Sequence, residues 1–184
     1  MDYFNSVKEN NNEKKVMLRI CKADEIVQYV SDMNLNVEVF NECEKPVIEV
    51  INVDEKRKYF AYHGVPILNE LNPFLIALKR IMGYESIDLA PHEIEVVKRI
   101  NGNLKMFLTP YCTVCPLVAD LLYQIVVVAD KLNLEIYDIT INEEFKEKYK
   151  VYSVPKLVLN DKISIPGGFP REVIIKTLLV NSNK

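Results

Sequence analysis

Two cysteines separated by two residues, Cys112 and Cys115, are the residues whose type and spacing most clearly allow chemistry. They follow an apolar stretch typical of a strand and precede a long apolar stretch typical of a helix. A helix that begins at Cys112 would place its sulfur near free backbone N–H groups and the positive end of the helix dipole, which favours the nucleophilic thiolate. Cys115, one turn later, could resolve a mixed disulfide formed on Cys112. The motif therefore predicts a redox-active dithiol.

Metal binding is the first alternative, because two thiols at this spacing also form half of many zinc sites. A structural zinc site needs two further Cys or His ligands at compatible spacing. Cys21 and Cys43 are far in sequence from each other and from the dithiol, and the two histidines, His63 and His92, form no paired ligand motif. We therefore expect no metal site.

The composition is that of an ordinary globular protein of 184 residues, with 49% apolar and 27% charged residues. The net charge of −3 gives no reason to expect a nucleic acid or an anionic membrane as a partner. No apolar run reaches the roughly 18 residues of a membrane span. Residues 1–14 are polar and rich in asparagine, so we expect a disordered tail, no signal peptide and a cytoplasmic location. In the cytoplasm a CxxC motif is more often catalytic or metal-binding than a structural staple.

The pattern of apolar residues predicts an α/β protein made of two tandem units of about 90 residues each. The first unit covers residues 15–85, and the second covers residues 86–184 and contains the dithiol. Each unit ends in a hairpin, a glycine-containing turn and an amphipathic helix. The predicted strands cover residues 16–20, 36–40, 46–52, 58–62, 104–108, 134–139, 156–159 and 162–165, and the predicted helices cover residues 23–33, 71–82, 91–100, 112–132, 142–149 and 170–180.

The second unit resembles the thioredoxin fold in its glutaredoxin-like branch. It combines the order β-α-β-α-β-β-α with CxxC at the start of the first helix and with Ser153-Val-Pro-Lys156 before the third strand. In that family the corresponding proline is cis and faces the dithiol, which implies this role for Pro155, preceded by Val154. The backbone beside such a proline is free to pair with a substrate strand, so the resemblance implies substrate binding there. Tyr111 is expected to shape the partner surface.

A glycine pair in the segment Ile165-Pro-Gly-Gly-Phe169 resembles the one with which glutaredoxins hold glutathione. In those proteins the backbone N–H groups at a helix start receive a carboxylate. The resemblance implies substrate binding at Gly167 and Gly168, and the alternative is a tight turn between strand and helix. Arg171 stands where the family has an acidic residue, and no lysine lies just before the dithiol. Glutathione therefore stays open as a partner.

Taken whole, the chain resembles the tandem glutaredoxin-like protein disulfide oxidoreductases of thermophiles, and the N-terminal domain of the alkyl hydroperoxide reductase flavoprotein subunit. Pro46 would be the counterpart of Pro155 in the first unit, which has no CxxC and lacks a helix between Phe40 and Pro46. The resemblance therefore implies a degenerate, non-catalytic first unit. Cys21 and Cys43 fall where its active site would lie, and we expect them to serve as small buried residues, with a functional pair as the alternative.

The resulting hypothesis is a thiol–disulfide oxidoreductase that reduces or exchanges protein disulfides and has no cofactor besides the Cys112–Cys115 disulfide. The two residues between the cysteines carry no cation, so we expect a potential toward the reducing end. Met106 occupies the position of the buried acid of thioredoxins, so proton transfer would need water or another carboxylate such as Asp138. The alternatives are an electron relay between a thioredoxin-reductase-type flavoprotein and a peroxiredoxin, and a non-catalytic interaction protein.

Overall fold

The computed structural model describes residues 15–182, in which eight strands form one sheet flanked by helices. Short 3₁₀ turns at Asp24–Ile26 and Leu68–Glu70 precede the first and second helix. The predicted tail of residues 1–14 lies outside the described residues. The strands are β1 (Val16–Cys21), β2 (Asn36–Val39), β3 (Val47–Asn52), β4 (Arg57–His63), β5 (Asn101–Leu108), β6 (Lys131–Asp138), β7 (Lys156–Leu159) and β8 (Ile163–Pro166). The helices are α1 (Val27–Val30), α2 (Leu71–Met82), α3 (Pro91–Val97), α4 (Cys115–Val128), α5 (Glu144–Lys148) and α6 (Arg171–Asn181).

The sheet has the strand order β2-β1-β3-β4-β6-β5-β7-β8, in which one four-strand arrangement occurs twice. β1 pairs in parallel with β2 and antiparallel with β3, just as β5 pairs with β6 and β7. The halves meet where β4 pairs in parallel with β6, from Phe60 opposite Leu134 to His63 opposite Tyr137. The repeat confirms the two thioredoxin-like units, and the β4–β6 pairing joins their two mixed sheets into one.

The two units share an apolar core on one face of this sheet. Phe60 of β4 contacts Phe74 of α2 and Tyr123 of α4, with ring centroids 5.9 and 4.6 Å apart. All three rings are fully buried, and α2 packs directly against α4. The core therefore fixes the dithiol helix α4 against elements of the first unit.

No helix among residues 15–182 is long and apolar enough to cross a membrane.

The dithiol helix differs from its prediction at both ends. α4 begins at Cys115 rather than at Cys112, and it ends at Val128. Pro116 lies in its first turn, where a missing N–H loses no helical hydrogen bond. Ala129 takes an extended backbone conformation, after which the chain enters β6. Cys112 therefore lies in the bend before the helix and not in the helix itself.

The first unit is the less helical of the two. No helix lies within residues 40–46, between β2 and β3, whereas the second unit has α5 in the equivalent place. This agrees with the helix that the sequence shows to be missing. The helix predicted at residues 23–33 is shorter, because only a 3₁₀ turn and α1 form there. The linking helix α3 also ends earlier than predicted, at Val97.

Candidate active site at the Cys112–Cys115 disulfide

Cys112 and Cys115 form a disulfide just beyond the carboxyl end of β5, with their Cα atoms 5.4 Å apart. Cys112 is half-buried, whereas Cys115 is fully buried. The backbone N–H of Cys115 donates to the Cys112 Sγ over 3.0 Å. A free N–H at the start of α4 therefore points at the more accessible sulfur, where it stabilises negative charge.

The first unit reaches the dithiol through the 3₁₀ turn at Leu68–Glu70. The side-chain amide of Asn69 donates from Nδ2 to the carbonyl oxygen of Cys112 over 3.2 Å. The same turn packs against α4, the helix that begins at Cys115. The backbone that carries the accessible sulfur is therefore held by a side chain of the unit that has no CxxC motif.

Glu70 is buried where this turn meets α4, and neither of its carboxylate oxygens has a hydrogen-bond partner among residues 15–182. Burial, with a smaller contribution from the charge of Asp138, raises the pKa of Glu70 to about 7. The buried hydroxyls of Tyr62 and Tyr123 also have no partner among these residues. Burial above all raises the pKa of both phenols, and the charge of Glu70 adds to the effect. A carboxyl group that titrates near neutral pH therefore lies one residue from Asn69, which binds the dithiol loop.

Asp138, the carboxylate considered from the sequence, lies at the end of β6 and is also buried. Its Oδ1 accepts hydrogen bonds from the backbone N–H and the hydroxyl of Thr140, at 2.9 and 2.7 Å. Because Asp138 is already bonded and Glu70 is not, Glu70 is the better candidate for proton transfer. Glu70 cannot be recognised from the sequence, since it belongs to the other unit and its only signal is an acid next to the apolar residues of α2.

The proline loop lies at the same edge of the sheet as the dithiol. The Val154–Pro155 peptide bond is cis, whereas Pro46, at the equivalent place in the first unit, follows a trans bond. β5 and β7 pair antiparallel, so the end of β5 lies beside the start of β7. The loops that carry Cys112 and Pro155 therefore leave the sheet at the same edge from neighbouring strands.

The glycine pair lies next to Pro155, but the two glycines differ in their surroundings. The N–H of Gly167 donates to the carbonyl oxygen of Pro155 over 3.0 Å, and a Cβ at Gly167 would come within 2.5 Å of the Pro155 Cγ. Gly168 has open space around it, and both glycines border a surface cavity of about 460 Å³ shared with Val114. The Arg171 guanidinium at this cavity already donates to a carboxylate and a carbonyl of the α3 region. The missing side chain of Gly167 therefore leaves room for Pro155, whereas Gly168 faces open space.

Several large apolar side chains near the dithiol are exposed to solvent. Tyr111, Leu117 and Tyr152 expose 75%, 73% and 88% of their surface. Single exposed apolar residues are ordinary, but a group of them around one site is typical of a surface that binds other proteins. We call this group the apolar rim, and it consists of Leu68, Tyr111, Leu117, Tyr152 and Phe169.

Cys21 and Cys43, which we expected to serve as small buried residues with a pair as the alternative, form a second disulfide. Their Cα atoms are 6.3 Å apart, and Cys21 lies opposite Val47 in the β1–β3 ladder. The segment just before β3 therefore brings Cys43 to the end of β1. Within residues 15–182 no group of three or more His, Cys, Asp or Glu side chains could hold a metal ion.

The fold and the Cys112–Cys115 disulfide define a thioredoxin-fold, oxidoreductase-like protein. The sequence matches two family models, a thioredoxin-like domain over residues 2–83 and a thioredoxin domain over residues 103–180. Sso1120 from Sulfolobus solfataricus, a solved structure, is 41% identical with a TM-score of 0.75, covering 83% of this chain and 90% of that one. The chain belongs to the tandem thioredoxin-fold family.

Two more distant structures share the fold. The NTD_N/C domain of the alkylhydroperoxide reductase AhpF from Enterococcus faecalis is 20% identical with a TM-score of 0.80, covering 90% of this chain and 91% of that one. A protein disulfide oxidoreductase from Aeropyrum pernix is 16% identical with a TM-score of 0.67, covering 92% of this chain and 87% of that one. No curated protein sequence matches the chain.

Proposed function

We propose that this chain is a thiol–disulfide oxidoreductase that acts on protein disulfides through Cys112 and Cys115. The observation that carries the proposal is the asymmetry of the pair, since one sulfur is half-buried and receives the N–H of α4 while the other is fully buried. The Cys112 thiolate attacks one sulfur of a substrate disulfide and releases the other as a thiolate. The Cys115 thiolate then attacks the Cys112 sulfur, which releases the second substrate thiolate and forms the Cys112–Cys115 disulfide. The substrate gains two electrons, and its two thiolates take up two protons.

Glu70 is the proton acceptor for Cys115 in this proposal. A buried thiol must lose its proton before it can attack, and water has little access to Cys115. A carboxyl group with a pKa of about 7 can accept that proton when the dithiol is oxidised and return it when the disulfide is reduced again. The phenols of Tyr62 and Tyr123 lie close enough to Glu70 for its charge to raise their pKa.

The surroundings of the disulfide support protein substrates. The apolar rim offers a surface for an apolar segment, and the backbone at Val154, before the cis Pro155, offers an edge to which an extended segment can add. Tyr111 contributes to the rim, and Gly168 and its cavity offer a place for a smaller group such as that of glutathione. The disulfide itself carries the electrons, so the reaction needs no further cofactor or metal. We propose that the reaction runs in the reducing direction, in the cytoplasm.

A second function is favoured by the fold shared with the alkylhydroperoxide reductase domain. In that case the chain would relay electrons from a thioredoxin-reductase-type flavoprotein to one partner such as a peroxiredoxin. The same two cysteines would act, but the rim would accept a single protein instead of many.

Insulin reduction with dithiothreitol as the electron source tests the proposal. We expect Cys112→Ser to abolish activity and Cys115→Ser to accumulate a mixed disulfide at Cys112, since no resolving thiol remains. The double variant Cys21→Ser/Cys43→Ser is the matched control and is expected to keep the wild-type rate. A wild-type protein that oxidises and reduces its dithiol reversibly but does not reduce insulin would favour the relay instead.

A further inference from the structure

The Cys21–Cys43 disulfide links the end of β1 to the segment before β3, at the edge of the sheet where the second unit has its dithiol. Cys21 ends β1, the counterpart of β5, and Cys43 lies in the segment before β3, the counterpart of β7. The strand pairings make β1 and β5 run in the same direction, so both disulfides lie at the same edge of the sheet. Four strand spacings separate β1 from β5, which amounts to about 19 Å. The two disulfides are therefore too far apart to exchange directly.

The exposure of this pair repeats the asymmetry of the dithiol. Cys21 is 1% exposed, whereas Cys43 is half-buried, so an attacking thiol can reach only the Cys43 sulfur. Cys21 would then be the leaving group, as the buried Cys115 is at the dithiol. The pair thus has the accessible sulfur and the protected sulfur that reversible exchange requires.

The disulfide can open without loss of the surrounding structure. Cys43 lies within residues 40–46, which contain no helix or strand. The flanking strands β2 and β3 both pair with β1 through backbone hydrogen bonds, and the N–H of Phe40 donates to the carbonyl oxygen of Ile20 over 3.0 Å. These contacts hold both ends of the segment independently of the sulfur–sulfur bond.

The surroundings of Cys43 are charged, in contrast to the apolar rim. The Lys22 ammonium donates to the carbonyl oxygen of Glu44 over 2.9 Å, which places a cation beside the residue that follows Cys43. Glu42 and Glu44 are exposed, and Lys45 is paired with Glu144 at 2.6 Å. The Lys22 cation beside the Cys43 segment attracts an approaching thiolate against the repulsion of these glutamates, and a charged surface favours a small hydrophilic molecule over an apolar protein segment.

We propose that Cys21–Cys43 is a second redox-active disulfide, which exchanges with a charged low-molecular-weight thiol at Cys43. A thiolate of that molecule attacks the Cys43 Sγ, the bond to Cys21 breaks, and Cys21 leaves as a thiolate that takes up the proton which the small thiol gave up. A second thiolate attacks the sulfur of the small molecule in the mixed disulfide, which releases the Cys43 thiolate. Two small thiols are thereby oxidised to one disulfide, and the protein pair gains two electrons.

The test uses reduced and oxidised glutathione as the probe on the folded wild-type chain and on Cys112→Ser/Cys115→Ser. Thiols are alkylated after acid quenching and mapped by mass spectrometry. We expect Cys21–Cys43 to open and close reversibly in both proteins, with glutathione on Cys43 in about tenfold excess over Cys21 because of their different access. A pair that stays closed in every native buffer and opens only in urea would be a structural staple and would overturn the proposal. The wild-type sample reports the redox state of both disulfides. A Cys21–Cys43 pair that does not exchange can therefore be told apart from an inactive Cys112–Cys115 pair.

A matched pair of lysine variants tests the role of the cation. We expect Lys22→Gln to slow the opening of Cys21–Cys43 by glutathione about threefold, since the cation that bonds the backbone next to Cys43 is lost. Lys45→Gln removes a nearby charge that is already paired with Glu144 and should keep the wild-type rate. Equal rates for the two variants would overturn the placement of the attack beside Lys22.

Discussion

Replacement of Glu70 by Gln tests the proton acceptor, because it keeps the shape of the side chain and removes its titration. The pKa of Glu70 is raised from 4.5 to about 7, mainly by burial. The folded protein therefore binds this proton more tightly than the unfolded chain does, by about 3 kcal/mol at 1.36 kcal/mol per pKa unit. The stabilisation by the protonated carboxyl is fully present below pH 4.5 and is lost as the pH rises through about 7.

The stability of Glu70→Gln should therefore depend on pH in a defined way. At pH 8 the wild type contains a buried carboxylate and the variant does not, so the variant should be more stable by up to about 3 kcal/mol, or about 6–12 °C in Tm. At pH 4 the two proteins should melt together, since Glu70 is then protonated. Thermal unfolding at both pH values measures this difference, and the exposed Glu172→Gln serves as the matched control.

The same variant should also be slower in the step in which Cys115 attacks the mixed disulfide at Cys112. Reduced Cys21→Ser/Cys43→Ser protein, in which only the dithiol can react, should release nitrothiobenzoate from 5,5′-dithiobis(2-nitrobenzoate) in two phases, the second of which reports the attack of Cys115 on the mixed disulfide at Cys112. This attack requires ionised Glu70, so the second-phase rate should rise with pH through about 7. In Glu70→Gln that inflection should disappear and the rate at pH 8 should fall about 10²-fold, the low end for general acid–base catalysis. An unchanged second phase, together with no gain in Tm at pH 8, would refute the assignment of Glu70.

Two further predictions concern the glycine pair and the apolar rim. Gly167→Ala should destabilise the protein by about 1–3 kcal/mol, measured by urea unfolding, because its Cβ would lie 2.5 Å from the Pro155 Cγ and 2.7 Å from the Pro155 oxygen. Gly168→Ala, with nothing within 4 Å of the added Cβ, is the matched control, and equal stabilities would contradict the contact. Leu117→Ser and Tyr152→Ser should each raise KM for insulin severalfold and leave the first nitrothiobenzoate phase unchanged, since both side chains are exposed and contact only a large partner. Their unfolding free energies should stay within about 0.5 kcal/mol of the wild type, so a loss of activity through misfolding would be visible.

The sequence predicts best those elements whose signals are local. The bounds of α2 agree with the prediction, because its apolar residues recur at helical spacing and Gly83 ends it with a positive φ of 87°. The hairpin of β7 and β8 also lies within a residue of its predicted place. The start of α4 was wrong, since the apolar run gives no information on whether Cys112 lies in the helix or in the bend before it.

The features that the sequence does not reveal depend on contacts between distant segments. The Cys21–Cys43 disulfide follows from the register of β1 against β3, which places Cys21 opposite Val47, and no local pattern specifies that register. The burial of Glu70 depends on the packing of its turn against α4, an element of the other unit. In the local sequence nothing distinguishes Glu70 from other acidic residues at the start of an amphipathic helix.

These distant contacts give a structural role to the unit without a CxxC motif. Its strand β4 pairs with β6, which would otherwise be an exposed edge of the second unit's sheet. Its Asn69 binds the backbone of Cys112, and its Glu70 provides the buried carboxyl that Met106 does not supply from β5. Residues 86–184 contain every motif by which the sequence indicates redox chemistry, yet in the proposed mechanism they lack the proton acceptor for Cys115. The first unit therefore lacks a CxxC motif of its own and, in the proposed mechanism, forms part of the site of its neighbour.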